Sequence, residues 1–165
     1  MLPLTLLAAQ KLSGLLTNAS ALQQAVDDLA NACGVNVPTI TSAQVVLSSA
    51  SADIADLNLQ LTYPRICVYS SALKNAQTEK FRSFSGSVTI TTEVFASGNL
   101  VSDTDQWIHF YVEGITQILR QNFGDWGNGM FFSGVYDVQL QAPKVGGFGY
   151  VESAKVTCSI NVSLN

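Results

Sequence analysis

One histidine and three cysteines are the whole stock of imidazole and thiol in this 165-residue chain, and none has a spacing that organises chemistry. His109 lies four residues from both Asp105 and Glu113, so on a helix the three share a polar face. A general base needs a nucleophile in reach and a third group to orient it. A solvated helix residue needs neither, and His109 reads as one. Cys33, Cys67 and Cys158 are far apart, with no CxxC and no Cys/His pattern of a zinc site, so they read as buried free thiols. The carboxylates around His109 match no ligand spacing for a hard cation. Gly124-Asp125-Trp126-Gly127-Asn128-Gly129 and Gly146-Gly147-Phe148-Gly149 are glycine-rich. Neither follows a strand and opens a helix, and neither carries a Lys-Ser/Thr pair, so both read as turns rather than phosphate cradles. The expectation is no catalytic residue, no cofactor, no metal, and a chain that is not an enzyme.

Composition points the same way. Asp, Glu, Lys and Arg make up 12% of the residues, about half the roughly 25% of an average soluble domain. Mean hydropathy is +0.25, yet no stretch is long and apolar enough to read as a membrane span. Such a surface must be neutral polar, or part of it must be covered by other protein. The formal net charge of −4 speaks against a nucleic-acid surface, which needs a basic stripe. The apolar opening Met1–Ala9 lacks a cationic start and is cut short by Gln10 and Lys11, so a cytoplasmic product without a signal peptide is expected.

The elements that would position these residues follow from periodicity. Leu4, Leu7, Leu12, Leu15, Ala19, Leu22, Val26, Leu29 and Cys33 trace one stripe at helical spacing, with Gly14 as the weak point and Gly34 as the stop. Residues 39–56 resist assignment, apart from a short strand suggested by Val45-Val46-Leu47. From Leu57 to Tyr63 the period is two, and Arg65–Tyr69 resumes as strand after Pro64. Residues 70–83 read as a loop carrying Lys74, Lys80 and Arg82. Phe84–Phe95 alternates as a strand, and 103–123 is a second long helix, with Ser102 and Asp105 at capping-box spacing. Met130–Leu140 and Gly149–Val162 are two more strands joined by a hairpin or flap at 141–149. The expected fold is one α+β domain spanning 1–165. It has two layers, a mainly antiparallel sheet of about four strands with two long helices on one face. Residues 1–56 form a helical segment with an irregular connection, and 57–165 form a strand-strand-helix-strand-strand core.

The runs Tyr63-Pro64-Arg65-Ile66-Cys67-Val68 and Glu79-Lys80-Phe81-Arg82-Ser83-Phe84-Ser85-Gly86-Ser87-Val88-Thr89-Ile90 resemble the neck and tail-completion proteins of long-tailed bacteriophages, most closely the tail-terminator group. The helix Trp107–Phe123 and the strands Phe131–Leu140 and Gly149–Val162 continue the likeness, which covers about 60–165. The resemblance implies a virion structural protein, assembled in the bacterial host cytoplasm, that forms a homo-oligomeric and commonly hexameric ring. Such a ring sits on the last tail-tube ring, stops its growth, and meets the head–tail connector protein. DNA passes through its channel without specific binding, which suits a mildly acidic chain. A charge-poor neutral face can be buried between subunits without the desolvation cost of ions.

On that reading the interface candidates are Lys74, Lys80 and Arg82 as rim polarity and Phe148 as an anchor, although Phe148 equally suits packing on its own hairpin. Two alternatives stand beside it. One is another neck or tail part, a head-completion or tail-tube protein. The other is a small-molecule-binding α+β domain, which would need a deep pocket with converging polar groups.

Overall fold

The period-two run after Ser83 becomes the spine of the molecule. In this computed structural model residues 3–48, 62–76 and 82–165 are described. The helices are α1 (Leu4–Thr17), α2 (Ala21–Cys33) and α3 (Val101–Gln121). The strands are β1 (Val45–Val46), β2 (Arg65–Asn75), β3 (Phe84–Gly98), β4 (Gly124–Gly127), β5 (Met130–Leu140), β6 (Lys144–Gly146) and β7 (Gly149–Leu164). β3 and β7 pair antiparallel along their whole length, from Phe84 opposite Leu164 to Gly98 opposite Tyr150.

The sheet departs from the expected four-strand antiparallel layer. It has seven strands in the order β1-β2-β3-β7-β5-β4, with β6 also on β7, and it curls into a half-barrel. It is mixed, because β1 runs parallel to β2. β1 stands where Val45-Val46-Leu47 suggests a short strand, and the two strands not expected, β4 and β6, are four and three residues long, too short to display a period of two. β4 falls in the glycine-rich stretch read as a turn, and β6 in the linker read as a flap. β2 extends through Asn75, into what reads from sequence as the 70–83 loop. The expected strand at Leu57–Tyr63 lies mostly outside the described residues.

The helical layer is also different from two long helices lying on a sheet. The Leu4–Cys33 stretch is broken at Asn18–Ser20, where Ala19 and Ser20 take φ of 47° and 58°. The break is not at Gly14, which stays helical inside α1. α1 packs on β2, α3 on β3 and β7, and α2 chiefly on α3. Gly114 makes that last contact possible: a Cβ there would stand 2.7 Å from Val26 Cγ2 and 3.2 Å from Leu22 Cδ1. The expected Ser102 cap is absent. α3 starts two residues earlier, after Leu100, with no side-chain cap.

The core lies between α3 and the sheet. Ile108, Tyr111, Ile115, Ile118 and Leu119 meet Val88, Ile90 and Val94 of β3 and Ala154, Val156, Cys158 and Ile160 of β7, all essentially buried. Tyr111 donates its hydroxyl to Pro38 O at 2.8 Å, and Trp107 Nε1 donates to Asn36 O at 3.1 Å. These two bonds tie the chain after α2 onto α3, which sets where β1 enters the sheet. No helix among the described residues is long and apolar enough to cross a membrane.

Candidate assembly surface

Among the described residues the topology leaves both long outer strands partly uncovered. β4 reaches only Met130, Phe131 and Phe132 of β5. Among the described residues nothing pairs with the outer side of Ser133–Leu140. At the other edge β1 covers only Ile66 and Cys67 of β2, and Ser71–Asn75 are exposed. An unpaired edge presents a row of backbone donors and acceptors, and soluble proteins usually blunt it. Here each edge carries one exposed charge, Lys74 on β2 and Asp137 on β5, beside exposed apolar side chains. Val135, Val138 and Leu140 are exposed on β5, and Leu73 on β2.

The ladders assign the faces. Val138 and Leu140 stand opposite Val156 and Ala154, and Leu73 stands opposite Val88, so all three share the face that carries the helices. Asp137 pairs with Thr157 and Lys74 with Ser87, on the opposite face. Phe123 and Phe131 add an edge-to-face pair, centroids 5.9 Å apart, at the end of β5.

The candidate interface residues divide between two ends of the sheet. Lys74 lies on exposed β2, beside a groove with Ser85, Phe131 and Ser163. Arg82 lies in an adjoining groove of about 640 Å³ with Leu4, Leu7 and Leu164. Both grooves share Gly129 and Ser163. Lys80 lies outside the described residues. Phe148 sits at the far end, at the tip of the β6–β7 hairpin. Its backbone N–H donates to Ser97 Oγ at 2.8 Å, and its ring meets Tyr63 edge-on at 5.7 Å. It therefore packs on the chain leading into β2, while 61% of its surface stays exposed. Gly147 permits this tip, with φ of 55° and a Cβ position only 2.9 Å from Val151 Cγ2.

The sheet face away from the helices buries polar groups. Glu93 is 6% exposed, faces Lys155 across the ladder with Nζ 3.6 Å from Oε1, and accepts from the Tyr69 hydroxyl at 3.3 Å. Burial first, and the Glu93 carboxylate second, push the Tyr69 phenol above its ordinary value. Burial pushes the Cys67 thiol up, against the opposing hydrogen bond of Arg65. On the helix face, Glu152 stands opposite Ala96, is 4% exposed, and is pushed up to about 7 by burial and by the Asp105 carboxylate at the start of α3. Cys67 and Cys158 are buried free thiols as expected, but Cys33 is exposed at the end of α2.

Glu93 thus faces an opposite charge inside the sheet, whereas Glu152 faces the like charge of Asp105 on α3. His109 is exposed on α3. Its neighbour Glu113 is taken by Arg120, which also donates to the Tyr136 hydroxyl at 3.2 Å. Among the described residues no three His, Cys, Asp or Glu side chains gather as metal ligands. Comparison with known proteins returned no matching family model and no matching curated protein.

The open edges themselves are invisible to sequence reasoning. β5 is legible as a strand, but its place in the strand order depends on pairings 14 to 32 residues away in sequence. The one local hint is the spacing of Val135, Val138 and Leu140 beside Asp137, a strand with little charge to guard it.

Proposed function

We propose that this chain is a self-assembling structural subunit of a bacteriophage tail or neck, a tail terminator that closes into a ring on the end of the tail tube and joins it to the head. One observation carries the reading: among the described residues both outer strands of a curled sheet are left partly uncovered, with exposed Val135, Val138 and Leu140 on one and exposed Leu73 on the other. A subunit with two unlike sticky edges buries them by meeting neighbours head to tail, and rotation about a common axis closes the set. The scarcity of charge fits burial between copies. The tail assignment comes from the likeness of Tyr63–Val68 and Glu79–Ile90 to tail-completion proteins, and on it the chain belongs in the virion tail or neck. Tail-tube and connector proteins are then its partners above and below the ring, and DNA crosses its channel.

Negative-stain images of the purified full chain at high concentration test this. A terminator gives discrete annuli with a hole about as wide as one DNA duplex. Filaments would assign it to the tail tube instead, and isolated monomers would remove it from both.

A further inference from the structure

We propose that the β5 edge of one copy adds to the β2 edge of the next, so that the sheet continues from subunit to subunit. This deepens the self-assembly reading above, and rests on it, by naming the two surfaces that meet.

Strand polarity permits the union. β2, β3, β7 and β5 alternate in direction, so β5 runs opposite to β2. Rotating one copy about an axis along the strands brings its β2 beside β5 of its neighbour in antiparallel order. The same rotation keeps every helical layer on one side of the shared sheet.

Side chains then select the register. With Asp137 opposite Lys74 of the neighbour, the two charges meet on the face away from the helices. The next pair in that register is Val138 opposite Leu73, both apolar, both exposed in the single chain, and both on the helix face. Gln139 falls opposite Ala72. One offset therefore matches charge with charge on one face and apolar with apolar on the other. Directly opposed pairs of both kinds favour antiparallel union, and like charges oppose it.

The offset is set by how far β4 and β1 cover the two edges among the described residues. β4 blocks β5 up to Phe132, and β1 blocks β2 at Ile66 and Cys67. Pairing 137–140 with 71–74 slides the copies along the strand direction, the stagger that tilted strands in a closed sheet require. The partner is a second copy because the complementary edge is on the same chain.

The test is a charge exchange in the full-length protein. Asp137→Lys and Lys74→Asp each place like charges at the junction, and the double variant restores an opposite pair. Light scattering across a concentration series reads the midpoint of assembly. Each single variant should move it to about fivefold higher concentration, and the double variant should return it to within about twofold of the parent. In a Cys33→Ser background, Gln139→Cys with Ala72→Cys should form a disulfide-linked ladder of subunits on mild oxidation. Assembly that ignores both charge reversals, or single defects that the double variant fails to rescue, would overturn the edge pairing and leave self-assembly standing. A parent protein that stays monomeric throughout would overturn self-assembly itself.

Discussion

Glu93 and Lys155 stand directly opposite one another on β3 and β7, with the ammonium 3.6 Å from the carboxylate. The carboxylate is buried and the ammonium is about one-third exposed. Removing the cation strands a charge that water barely reaches. Lys155→Met should therefore cost about 2–3 kcal/mol, more than an exposed pair is worth. Adding Glu93→Gln should recover part of the loss, because a neutral amide can still pair with Tyr69. Urea midpoints at constant slope measure both. A loss below about 0.5 kcal/mol for the single variant would show that the pair is effectively solvated.

Gly114 sets two effects against each other. Helix propensity alone favours Gly114→Ala by up to about 1 kcal/mol. The new methyl would press on Val26 Cγ2 at 2.7 Å, and overpacking typically costs about 1–3 kcal/mol. Packing should win, with α2 displaced from α3 and the melting temperature lowered. Combining it with Val26→Ala should return most of the loss, which separates crowding from any backbone effect at Gly114.

Glu152 makes stability fall as pH rises. Its carboxyl keeps a proton up to about pH 7 in the folded chain and loses it near 4.5 when unfolded. Between those values the folded state binds more protons. The contribution is therefore full below the unfolded pKa and is lost as pH climbs through the folded one. The expected change is on the order of 2 kcal/mol. Glu152→Gln should flatten it, since the amide stays neutral beside Asp105 and Thr104. Equal pH slopes for parent and variant in chemical unfolding would refute the assignment.

Phe148 divides between its own chain and a neighbour. Its contact with Tyr63 predicts that Phe148→Ala lowers stability by no more than about 1.5 kcal/mol. If the exposed remainder of the ring anchors a second copy, the midpoint of assembly rises in the same variant beyond what the melting shift explains. Unchanged assembly would restrict Phe148 to holding the β6–β7 hairpin.

The long periodic stretches are legible in the sequence. β3, β7, β5 and α3 lie where alternation or helical spacing puts them, and the neighbour admitted by Gly114 is α2. What escapes has physical reasons. β4 and β6 are too short to carry a pattern. The break at Asn18–Ser20 has no proline or glycine to announce it. The outer half of β2 reads as loop because the register shifts between Ser70 and Ala72, which spoils strict alternation just before Leu73 and Lys74. Lys74 thus belongs to a strand edge rather than a loop. Asp137, its proposed counterpart, has no sequence signal beyond being the one charge in its strand. The curl of the sheet and its two open edges are products of strand order, a property of distant pairings rather than of local sequence.

The central claim is that copies of this chain cover one another's open edges, and the molar mass of the unmodified protein tests it most directly. Light scattering behind a sizing column, from low micromolar to several hundred micromolar, should show one assembly of fixed mass forming with concentration and then stopping. A mass equal to a single chain at every concentration, in protein that is natively folded, would contradict the account.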